Sequence, residues 1–254
     1  MLGIKDGKYV GLSNFMELFY EQWNPYAEQW KIAEKNIRNM VQNFAEKMKP
    51  VRAFCILGEY QFTYWKPLCS SEIDRIVNAR DVNEYLMEKI EDKSFIDYDT
   101  LCDEMVQSEL LSNTNKAILN QCVQAMNIGL YDLTLVGIVA VLDGVLSMVT
   151  KDDSTKIPRR LEQIKDKLKD LSDEEWELLD ESDITAFGIY ITWTKTMEEF
   201  KKRSEFNKPE TEPKDLNRHW IAHGRKTIIA TKLDCCKMIN ALYGLIYLGT
   251  SLHI

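Results

Sequence analysis

Two of the three histidines, His219 and His223, fall in the stretch LNRHWIAHGRK at 216–226, together with Arg218, Arg225 and Lys226. Arginine and histidine form a sufficient kit for cleaving RNA without a metal. Imidazole, with a pKa near neutrality, can accept the proton of a ribose 2′-OH or donate one to the leaving 5′ oxygen. A guanidinium can hold two phosphate oxygens and stabilise the charge that develops on them. The 2′-OH is missing from DNA, so such a site would spare it. Residues 214–232 carry Lys214, Arg218, Arg225, Lys226 and Lys232 against Asp215 alone, a local charge of +4 in a chain of net −8. That patch attracts phosphate over about a Debye length, roughly 8 Å at physiological salt. The block 170–183, with eight acidic residues and no basic one, reads as a solvated face.

The elements that must position these groups read as helices. A four-residue step puts His219 and His223 on one helix face. Pro213 and Asp215 are good helix starts. Gly224, directly after His223, is a helix stop that can take the left-handed conformation. The pattern predicts a short helix ending at His223, then a turn through Gly224 and Arg225 into a final helix over about 226–252. Trp220 reads as core. Asp143 sits in the apolar run 130–150 and needs a partner if buried. It either orients Arg218 or faces solvent.

Upstream, Ser13 or Asn14 caps a first helix over 13–23, and Pro25 opens a second. In that second helix Trp30, Ala33, Ile37, Met40, Val41, Phe44 and Met48 form an amphipathic stripe that ends at Pro50. Residues 51–66 fit either a hairpin or a helix. Ser70 or Ser71 caps a helix to about Ile90, and another covers 98–111. Asn113 or Thr114 caps a helix at 115–127, Gly129 turns the chain, and 130–150 forms a central helix, apolar on most faces. Pro158 opens a charged helix to 170, Ser172 and Glu175 make a capping box, and a helix covers 184–203. The segment 204–213 reads as a loop. Prolines and glycines are few, six and eleven, as suits long helices. The expected class is all-α, a helical bundle, with residues 1–112 as an N-terminal helical extension and 113–254 as the second domain.

Hydrophobic content of 45% and charged content of 28% fit a globular chain. The acidic balance excludes a wholly basic nucleic-acid coat. The six cysteines form no CxxC pair and lie mostly in apolar helical patterns, which reads as reduced and cytoplasmic. Neither 133–142, flanked by Asp132 and Asp143, nor 238–252 reaches the roughly 20 apolar residues of a membrane span. No glycine-rich phosphate loop, HExxH or GxSxG occurs, so no cofactor and no metal site is expected.

Arg218-His219-Trp220-Ile221-Ala222-His223, with Asn217 before and Gly224 after, resembles the R-x4–6-H signature of the HEPN superfamily. The resemblance covers roughly residues 113–254, with the motif set before the last helix as in that family. It implies an all-α domain and metal-independent endoribonuclease activity, of the kind found in toxin–antitoxin, abortive-infection and CRISPR-associated systems. Arg218 and His223 would be catalytic. Asn217, His219, Arg225, Lys226 and Asp143 would support them or bind RNA. In many members a polar residue such as Asn follows the arginine; here His219 follows and Asn217 precedes. One motif per chain implies a homodimer with a composite site, and an antitoxin or regulatory protein is a candidate partner. The alternative is a non-catalytic helical module that keeps the fold for binding or dimerisation.

Overall fold

The computed structural model describes residues 4–5, 8–9, 27–66, 68–92, 97–152, 159–160, 162–164, 181–202, 212–225 and 229–251. The fold is all-α. The described strands are β1 (Ile4–Lys5) and β2 (Lys8–Tyr9), a small antiparallel hairpin that pairs Ile4 with Tyr9. The helix expected at 13–23 lies outside the described residues.

Helix α1 runs Ala27–Glu59, straight through Pro50. An interior proline lacks an N–H and crowds the carbonyl four residues back, so an end at Pro50 was the expectation from sequence. The helix continues because Ala53, Phe54 and Leu57, at helical steps beyond it, are 0, 2 and 1% exposed in the core. The hairpin-or-helix choice at 51–66 resolves as helix to Glu59, then a turn at Gln61 with φ of 56° and a segment, 62–65, that is neither helix nor strand.

The single helix expected over 70–90 is two, α2 (Ser70–Asn78) and α3 (Val82–Glu91). Ala79 is extended, and Asp81 starts α3 by accepting from Asn83 N at 2.8 Å and Glu84 N at 3.4 Å. Cys69, not a serine, is the N-cap of α2, and Glu72 accepts from its N–H at 2.8 Å. Helix α4 (Tyr98–Met105) is capped by Asp97 and α5 (Asn113–Asn127) by Ser112. Gly129, at φ of 81°, turns the chain into α6 (Tyr131–Thr150). Residues 159–160 and 162–164 are helical; the capping box at Ser172 and Glu175 lies outside the described residues. Helices α7 (Glu181–Phe200), α8 (Arg218–Ala222) and α9 (Lys232–Ser251) follow.

By contact the chain divides into compact units Met1–Lys49 and Pro50–Ile254. The step from 112 to 113, where the sequence pattern changes, lies inside the larger unit. There α6 and α9 pack on each other; α5 and α8 pack on α6, while α3, α4 and α7 pack on α9. Burial explains the choice of centre: Leu135, Ile138, Val141, Leu142, Val145 and Leu146 of α6 are 0–1% exposed. The uncharged span of α9 is buried too, with Met238, Ile239, Ala241, Leu242 and Leu245 fully covered. By length and composition alone α6 could cross a membrane; half of it is buried against its neighbours.

Candidate active site

Three connections fix the motif. Before it, Gln61 grips the main chain of Leu216: its Nε2 donates to the carbonyl at 2.9 Å and its Oε1 accepts from the N–H at 2.7 Å. Asn217, 3% exposed, then caps α8. Its Oδ1 accepts from His219 N at 3.0 Å and Trp220 N at 3.4 Å, and its Nδ2 donates to Lys202 O at 2.7 Å. Both ends of the amide are engaged, so Asn217 positions the helix. It also displaces Pro213 and Asp215 as the helix start.

The third connection is Arg218 to Asp143. The guanidinium Nε lies 3.2 and 3.0 Å from the two carboxylate oxygens, and one terminal nitrogen, Nη2, also donates to Oδ2. The side chains are 23 and 26% exposed, so the pair is held partly out of water. Of the two sequence readings of Asp143, the structure takes the one in which it orients Arg218. The fork occupies Nε and Nη2 and leaves Nη1 with two N–H donors outside it.

The stop of α8 follows from Gly224 at φ of 61°. Gly224 N donates to Ile221 O at 3.0 Å and Arg225 N to Trp220 O at 2.9 Å, the paired bonds of a Schellman ending. His223 is the C-cap and is exposed; His219 is half-buried. Their rings sit edge to face, centroids 4.8 Å apart. Trp220 is buried, as its reading as core required. Arg225 is exposed, and Lys226 lies outside the described residues. Arg218 and His219 thus lie on one short helix that His223 caps, with Asp143 supplied by α6.

Sequence reasoning missed Gln61 and Arg160. Arg160, 3% exposed, donates from Nη1 to Asp143 O at 3.3 Å and Ser147 Oγ at 2.8 Å. A second guanidinium therefore braces the same turn of α6 that holds Arg218. Neither residue has a local signal, because each partner lies far along the chain or on the next element. Asp132 also proves structural, accepting from Ala230 N at 2.9 Å in the segment leading to α9. Lys237 of α9, buried, donates to Asn83 Oδ1 at 2.9 Å, and burial lowers its pKa. Among the described residues no three His, Cys, Asp or Glu side chains gather as a metal site requires.

No protein-family model, curated protein or solved structure matches the chain.

Proposed function

We propose that this protein is an endoribonuclease of the HEPN type, with Arg218 and His223 as its catalytic pair and a toxin or phage-defence role in the cytoplasm. The observation that carries the reading is the Arg218–Asp143 fork on the short helix that ends at the exposed His223. A guanidinium with one edge fixed and Nη1 left over is pre-organised for a phosphate oxygen. An exposed imidazole at the C-cap of the same five-residue helix is placed for proton transfer.

Displacement at phosphorus by the 2′-oxygen needs a base on one side and an acid on the other. His219 and His223 are neighbours on one face and cannot flank one phosphate from opposite sides. A homodimer supplies the second group, with each chain contributing Arg218 and His223 about a two-fold axis. Supporting this, Leu133, Val136 and Met148 are 63, 45 and 54% exposed on α6, the helix that carries Asp143. Packing of two copies along that stripe would cover it and bring two α8 helices together.

The test is cleavage of single-stranded RNA by the purified protein in EDTA, with end-group analysis. The expected products end in 2′,3′-cyclic phosphate, and His223→Ala and Arg218→Ala each abolish them while helical content persists. Leu133→Glu/Val136→Glu should yield a folded, inactive monomer by light scattering. A helical binding module remains the second reading, because an Arg–Asp fork also serves as a purely structural tie. An intact homodimer that leaves RNA uncut would decide for it.

A further inference from the structure

We propose that a groove between α9 and the segment 104–110 docks a basic segment of a partner polypeptide, one that presents a lysine or arginine beside an apolar side chain. The proposal does not depend on the ribonuclease reading. The groove encloses about 660 Å³. Tyr243 and Tyr247, one turn apart on α9, lie in it half-buried, with ring centroids 6.4 Å apart and planes tilted by 33°. Leu110 and Met105 give it an apolar wall. The wall lies close because Gly249 has no side chain: a Cβ there would meet Leu110 Cδ1 and Val149 Cγ2, each at 2.8 Å.

The charge of the lining selects the guest. Glu104 and Glu109 are exposed in the groove, and neither has an ion-pair partner among the described residues. Among the described residues no lysine, arginine or histidine lines it. The tyrosine faces are themselves electron-rich and attract cations within about 6 Å of the ring centre. Glu104 lies close enough to Tyr243 to add to the upward shift that burial gives its hydroxyl. Carboxylate and ring therefore face common space. An acidic, aromatic and partly apolar lining matches a side chain with an apolar stem and a cationic head. A volume several times that of one side chain fits a stretch of peptide rather than a lone amine.

The experiment is calorimetric titration of the full-length protein with two acetylated, amidated peptides, Leu-Arg-Leu-Lys-Leu and its counterpart with glutamate at both basic positions. The basic peptide should bind and the acidic one should not. Glu104→Gln/Glu109→Gln should weaken binding by about fivefold or more. Tyr247→Leu should weaken it by about threefold, while Tyr247→Phe, which keeps the ring, should not. Glu84→Gln/Glu91→Gln on α3 removes the same charge elsewhere and should leave the affinity unchanged. No binding at millimolar basic peptide overturns the proposal. So does equal weakening by the α3 pair, which would reduce the effect to net charge. Full displacement of the peptide by equimolar spermidine also overturns it, by showing that a free amine suffices.

Discussion

Asp143 governs what Arg218 can do. A lone arginine side chain is long and mobile; the fork to Asp143 holds it in one orientation and keeps Nη1 aimed away from the pair. Asp143→Asn preserves shape and one acceptor but removes the charge and one of the two oxygens that Arg218 contacts. If the proposed chemistry holds, cleavage should fall by about tenfold to a hundredfold, chiefly in kcat, because a small misplacement of a charge-stabilising group is costly. Stability should drop by about 1–3 kcal/mol, as for a partly buried charged hydrogen bond. Single-turnover kinetics and urea denaturation measure the two separately. Unchanged cleavage alongside the stability loss would make the fork a structural tie only.

Among the elements, α7 and α1 meet where neither can yield. A Cβ at Gly188 would lie 2.8 Å from the Cε1 and Cζ atoms of Phe54 and 2.9 Å from Cδ1 of Tyr64. Gly188→Ala improves helix propensity by about 1 kcal/mol, yet wedges a methyl group between two buried rings. Overpacking of that kind costs about 1–3 kcal/mol, so the variant should show a lower thermal midpoint; a higher one would mean the rings move freely. Much at this scale was legible in sequence. Gly224 announced the end of α8, Gly129 the turn before α6, and the apolar run 130–150 the central helix. Illegible was whatever depended on distant burial. Pro50 has a breaker's chemistry, but the burial of Phe54 and Leu57 overrides it. Asp81 was a readable N-cap hidden in a longer periodic pattern, and Cys69 caps α2 although cysteine is outside the usual capping set. At the site, Arg218, His223 and the role of Asp143 could be proposed from residue type and spacing, whereas Gln61 and Arg160 act only through tertiary contacts.

At the scale of the whole molecule, four of the six cysteines, Cys102, Cys122, Cys235 and Cys236, are buried, while Cys55 is half-buried and Cys69 exposed. Burial pushes the Cys122 thiol up to about 11 and the Cys236 thiol up to about 12, and raises that of Cys102 further, each from an ordinary value of 9. Folded, these groups stay protonated where the unfolded chain has already lost their protons. Their contribution to stability is fully present below pH 9 and is lost as pH rises through the folded values. Urea midpoints should therefore fall between pH 9 and 11, and Cys122→Ala should make the decline shallower; a flat profile would contradict burial of the thiols. The bond between Gln61 and Leu216 joins positions 155 apart. Closing so long a loop carries an entropic cost that must be met before the bond forms. Non-local contacts of this kind also slow folding. During synthesis the chain emerges from its N-terminus, so the glutamine must wait, its hydrogen-bonding groups satisfied by water, until residue 216 has left the ribosome. The fully clamped motif thus belongs only to a chain already synthesised past residue 216.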